Sequence, residues 1–134
     1  MANALYELGR QGFLDGSIDW DTDDIRCVLV DTGTYTVNLT THQFHSDLSG
    51  IVATSGNFAS KTVTLGVADA ADVTLTAVTG ATVEAIVIYQ WTGVSGTSRL
   101  IAYIDTATGM SPLTPNGGDV TIVWDSGASK IFKL

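Results

Sequence analysis

Oxygen-bearing side chains recur at every second position of DGSIDWDTD, residues 15–23: Asp15, Ser17, Asp19, Asp21 and Asp23, with Asp24 directly behind. Such alternation at the start of a loop is how an EF-hand calcium site begins. Further along the pattern breaks, because Trp20 stands where the loop needs glycine and Arg26 where it needs a bidentate glutamate. Three readings stay open. Repulsion between like charges favours a solvated acidic connector, where water and salt screen them. A cation site of another type could use the same carboxylates, and Trp20, ringed by acids, could anchor a partner at a docking edge.

His42 and His45 share one side of a helix should one form there. Zinc catalysis would need a further ligand and a water-activating carboxylate; Asp47 is near, but neither an HExxH nor a cysteine-rich spacing accompanies it. Ordinary hydrogen bonds from loop histidines are the expectation. The Gly-x-Ser-x-Gly elbow is absent, the serines mostly sit beside glycine in turn-like settings, and the two histidines exhaust the imidazole bases. Asn116-Gly117-Gly118 reads as a turn and not a phosphate loop. Tyr89, Trp91, Tyr103 and Trp124 could line a carbohydrate groove, although strand aromatics more often fill cores and interfaces. Glu84 reads as a rim residue or the partner of a Lys or Arg. Cys27 is the sole cysteine, so no disulfide closes within the chain, and its strand-like neighbours predict a buried, inert thiol. No catalytic residue, metal ligand or cofactor site is assigned.

These groups need a scaffold, and composition bounds it. The 134 residues suit one domain, burying roughly two-thirds of the surface of the unfolded chain. Hydrophobic residues at 45% and charged ones at 15% are the balance of a folding chain. A formal charge of -8 repels phosphate backbones, so nucleic acid is not expected as a partner. Glu7, Asp15, Asp19, Asp21, Asp23, Asp24 and Asp31 concentrate that charge near one end. MANALYELGRQGF lacks the layout of a signal peptide, and the longest strongly apolar stretch, Ala85 to Tyr89, is far short of the ~20 residues of a membrane helix. Synthesis in the cytoplasm without a signal and no membrane span are therefore expected, and Asn38-Leu39-Thr40 reads as a chance glycosylation sequon.

Asn3 can cap a short helix over residues 4–14 that ends at Asp15-Gly16. From Ile25 onward the β-branched residues dominate: Thr, Val and Ile supply 41 of the 134 residues. Strands are predicted at 25–31, 61–68, 72–79, 83–92, 99–105, 119–125 and 130–133, with 83–92, apolar on both faces, at the centre of a sheet. Short turn-bearing connections between about seven strands predict an all-β fold: an antiparallel β-sandwich, jelly-roll or Ig-like, with a short N-terminal helix. Residues 1–134 form one domain, within which 1–16 is a helical arm whose removal should leave the sandwich folded. Residues 32–57 read as a long excursion with one helical turn around His42 to Leu48.

Three stretches carry a resemblance: ALYELGRQGFLDGSIDWDTDDIRCVLVDTGTYTVNLTTHQFHSDL, VATSGNFASKTVTLGVADAADVTLTAVTGATVEAIVIYQW and LIAYIDTATGMSPLTPNGGDVTIVWDSGASKIFKL. Within them the most specific elements are Tyr6, Phe13-Leu14 with Gly16, Leu29-Val30-Asp31 with Tyr35-Thr36, Asp105-Thr106-Ala107-Thr108-Gly109, and Trp124-Asp125 with Ile131-Phe132. The chain resembles a family of small structural proteins of tailed bacteriophages and prophages. That resemblance implies a virion component without catalytic residues: a capsid decoration (cement) protein, or a tail or neck protein. A tail-tip carbohydrate-binding module is the other class considered. The implied partners are the major capsid protein or other virion subunits and further copies of the chain, as dimers or trimers. Charge, loop length and the resemblance together assign partner contacts to Tyr6, Arg10, Phe13, Asp19, Trp20, Asp21 and Phe44.

Overall fold

The computed structural model describes residues 3–107 and 112–134. Thr108 and Gly109 of the quoted motif, and Met1 and Ala2 of the 1–16 segment, lie outside the described residues. In chain order the elements are β1 (Ala4–Leu5), α1 (Glu7–Leu14), β2 (Ile25–Val30), β3 (Ile51–Thr54), β4 (Thr62–Thr64), β5 (Val67–Asp69), β6 (Val73–Leu75), β7 (Ala85–Gln90), β8 (Leu100–Ile104), β9 (Val120–Ile122) and β10 (Phe132–Lys133). Short 3-10 turns lie at His45–Asp47 and Ser95–Thr97. The fold is an all-β antiparallel sandwich with one N-terminal α-helix: a five-stranded sheet ordered β1-β8-β7-β2-β3, a three-stranded sheet β10-β5-β4 and a pair β6-β9.

β7 occupies the centre of the large sheet, as its two-sided apolar pattern predicts. Ile25, Cys27, Leu29, Ile86 and Ile88 project into one core, while Val28, Val30, Ala85, Val87 and Tyr89 project into another. That is the period-2 alternation of a pleated strand, kept in step by the β2–β7 register from Ile25↔Gln90 to Val30↔Ala85. In β8 the alternation slips. Ala102 pairs with Ile88 and Leu100 with Tyr89, so Ile101 is an extra, bulged residue, and Ile101 and Ala102 enter the same core.

Each face of the sheet has its own cover. Ala68, Val73, Leu75 and Ile122 from the smaller sheets and Phe58 from the β3–β4 connection close the first core, and Tyr35, Val37, Leu39 and Leu48 close the second. Residues 32–57 are therefore a packed layer rather than a free excursion. Their inner part also bonds along the start of β8: the His45 N–H donates to the Ser98 carbonyl at 2.7 Å, and the Leu100 N–H to that of Gln43 at 2.8 Å. The helical turn expected between His42 and Leu48 is present as the short 3-10 turn.

Four local expectations are corrected. The helix starts at Glu7 and not at residue 4, because Ala4 and Leu5 extend to pair with Tyr103 and Ala102 on the open edge of β8. Asn3 does not cap it; its Oδ1 accepts the Asp105 N–H at 3.0 Å, and the capping position belongs to Tyr6, whose side chain makes no capping bond. The single strand predicted at 61–68 is a hairpin, turning at Leu65 (φ 52°) and Gly66 (φ 80°) so that Thr64 faces Val67. Two left-handed residues in succession match the right-handed twist of the flanking strands. β3 pairs with β2 inside a segment predicted to have no strand.

Candidate functional site

The acidic stretch is a connector with turns at 15–16 and 20–22, and residues 17–21 alternate between solvent and core. Ser17, Asp19 and Asp21 are exposed, whereas Ile18 and Trp20 are buried. The Trp20 indole N–H donates to the Asp69 carbonyl at 3.0 Å, and its ring meets Phe58 and Phe132 edge-on. The carboxylates scatter among separate tasks. Asp15 Oδ1 accepts the Ser17 N–H at 2.9 Å; Asp23 Oδ2 accepts the Asp19 N–H at 2.8 Å and Gln90 Nε2 at 2.6 Å; Asp24 takes both forks of Arg26 at 2.9 Å. Lys61 Nζ donates to the Asp23 carbonyl and to Asn57 Oδ1. Asp19 and Asp21 share a hydrogen bond, which holds the Asp19 carboxyl below its ordinary range and pushes that of Asp21 above it. Among the described residues no three His, Cys, Asp or Glu side chains group as a metal site.

The two histidines do not act together, because the 3-10 turn begins at His45 and leaves His42 outside it. His42 Nδ1 lies 2.7 Å from the Tyr35 hydroxyl and accepts the Asn38 N–H at 3.3 Å. A nitrogen that accepts a backbone N–H carries a lone pair, so Tyr35 donates to it, and Tyr6, 2.9 Å from Tyr35, donates in turn to Tyr35. This relay pins the 32–57 layer to the segment that enters α1. His45 packs its ring on Tyr89 (4.8 Å) and Trp91 (5.6 Å).

Burial lowers the His45 pKa below 6.5, favouring the neutral ring in the folded chain. The unfolded chain then takes up a proton first as pH falls through 6.5, so His45 removes stability on the acidic side of neutrality. In urea titrations between about pH 7 and about pH 5, the His45→Phe variant is expected to lose less stability than the parent. Equal pH slopes would show that His45 is not buried as a neutral ring.

The remaining candidates are structural. Cys27 is fully buried and its thiol is pushed up to about 12 by burial. Glu84 pairs with neither Lys nor Arg: its Oε1 accepts the Thr32 N–H at 3.2 Å and the Thr32 hydroxyl at 3.1 Å. The four strand aromatics line no common groove. Tyr89 and Tyr103 are buried, Trp91 packs on the Tyr89 side of the large sheet, and Trp124 packs on the opposite core with its indole N–H on the Ala71 carbonyl.

Of the residues assigned to partner contacts, Tyr6 is fully enclosed by the fold, and Trp20 is buried apart from the edge that lines a groove beside it. Arg10, Asp19 and Asp21 are exposed. Phe13 is half-buried against Phe132 at 5.7 Å, and Phe44 is half-buried beneath the Arg99 guanidinium at 5.7 Å. Phe13 and Asp19 meet at a feature the residue patterns missed, an apolar groove of about 300 Å³ between the end of α1, the connector and the face of the β10-β5-β4 sheet. Its signal in the sequence was slight: Val63 and Phe132 read as ordinary inward-facing strand residues.

Comparison with known proteins finds no matching family, and no curated protein matches the sequence. Among the described residues no helix is long and apolar enough to cross a membrane.

Proposed function

We propose that this chain is a non-enzymatic structural component of a tailed-bacteriophage virion, a capsid decoration protein that stabilises the head through subunit interfaces. The observation that carries this reading is the division of labour among its side chains. Histidine, cysteine and tyrosine groups that could do chemistry are engaged in packing and internal hydrogen bonds, while large apolar side chains such as Leu65 and Val63 and the carboxylates of Asp15, Asp19 and Asp21 are exposed. Exposed apolar surface rimmed by polar groups is what an association surface presents. The family resemblance of the sequence points the same way. Such a protein works by mass action: many bound copies add interfaces that exist only in the assembled shell, and each makes disassembly less favourable. A tail or neck position would use the same surface. Gold-tagged antibody against the chain, applied to intact particles, tests the reading by its position on the head, on the tail or on neither.

A further inference from the structure

The groove at the end of α1 is lined by Phe13, Ile18, Trp20, Val63, Ala68 and Phe132 and is open to solvent. Around it the fold leaves apolar side chains uncovered: Val63 is 53% exposed, Leu134 57% and Leu65 90%. Leu65 has a further cost. At φ 52° it sits in the left-handed region, which a side chain with a Cβ strains and where Asn or Gly is the favoured choice. The fold itself recovers little from a leucine held there in water.

The charge on this side is acidic. Asp19 lines the groove, Asp15 and Asp21 are its exposed neighbours in the connector, and no salt bridge among the described residues reaches the three. Two cations attract these carboxylates through space only, Arg99 acting on Asp15 and Lys61 on Asp21, while their own contacts are with the Phe44 ring and with the Asp23 carbonyl and Asn57 respectively. Lys133 lines a separate hollow beside Asn3 and Arg10.

We propose that this groove docks a basic segment of another virion subunit, which seats a large aliphatic side chain among Phe13, Val63 and Phe132 and directs flanking Lys or Arg residues to Asp15, Asp19 and Asp21. A second copy fits less well, because a self-complementary contact would set the same carboxylates against each other in a chain of formal charge -8. The inference rests on the structural role proposed above and names the surface and partner chemistry that serve it.

A displayed library of random peptides about a dozen residues long, selected against the full chain at moderate salt, supplies the probe. Enriched peptides are expected to carry an aliphatic residue flanked by Lys or Arg. Their affinity is expected to fall roughly tenfold or more with Val63→Asp, and again with the double variant Asp19→Lys, Asp21→Lys, whose positions are exposed and whose thermal transition is the control for folding. Enrichment without basic residues, no enrichment, binding indifferent to both variants, or a dimer abolished by Val63→Asp would each overturn the assignment. Particles that carry the chain while these variants bind them normally would sink the groove and leave the virion reading standing. Unlabelled particles would sink that reading, while the peptide selection still reports on the groove.

Discussion

Removing residues 1–16 is expected to unfold the domain, not to release an arm from an intact sandwich. β1 forms an edge of the five-stranded sheet, and the Tyr6 N–H donates to the Ile101 carbonyl at 2.9 Å. Leu5 projects into one core and Tyr6 into the other, while Phe13 packs on Phe132. Burying each such side chain is worth about 1.5–3 kcal/mol as an upper estimate, so their loss together removes on the order of 5 kcal/mol. That is comparable with the whole stability of a typical domain, about 5–15 kcal/mol. Truncation also bares the edge of β8 and strips the Tyr35–His42 pair of its inner partner. The truncated chain should lose its cooperative thermal transition and become readily cleaved by protease. A truncated chain that melts cooperatively near the parent's midpoint would show the segment to be an appendage after all.

Gly9→Ala should destabilise the protein even though alanine is the better helix former by about 1 kcal/mol. A Cβ at Gly9 would lie 2.5 Å from the Leu100 carbonyl oxygen and 3.2 Å from Ile101 Cα. Those atoms belong to β8 at its bulge, held between β7 and β1, so they cannot move aside as the end of a side chain would. α1 must lift instead, loosening Tyr6 and Phe13 on either side of the contact. Overpacking of this kind costs about 1–3 kcal/mol, enough to reverse the gain in propensity. Gly96→Ala is the matched control, since its Cβ would meet nothing within 4 Å, and its effect should stay within about 0.5 kcal/mol. Urea unfolding of both variants decides the matter; a Gly9→Ala protein as stable as the parent would mean that α1 is not seated on β8.

The large sheet was legible because its information is local. β2 ends in Val-Leu-Val and β7 carries Ile-Val-Ile-Tyr, and apolarity on both sides of 85–89 implies cover on both faces. β1 and β3 were not legible, because two- and four-residue edge strands are created by the neighbour that pairs with them. The hairpin at 62–69 hid behind a Thr/Val alternation that runs on through Leu65, a residue that does not announce a left-handed turn.

DGSIDWDTD misled in an instructive way. The spacing that resembles a ligand set arises from side chains alternating in and out, with Ser17, Asp19 and Asp21 on the wet side and Ile18 and Trp20 on the dry one. A tryptophan flanked by aspartates reads as a surface anchor only while its own direction is unknown. The apolar groove lies beside it, assembled from the end of α1 with the connector that follows it, the hairpin and the C-terminal strand, three stretches far apart in the sequence. No local pattern could have joined them.

In the proposed virion role this chain's available free energy goes into contacts with neighbouring subunits of a particle. Gold-conjugated antibody raised against the chain, applied to intact purified phage particles from cells carrying its coding sequence, is the decisive measurement. Many gold grains per particle, distributed over the head, are the expected result. Particles free of label, with the chain recovered entirely from the soluble cell fraction, would contradict it.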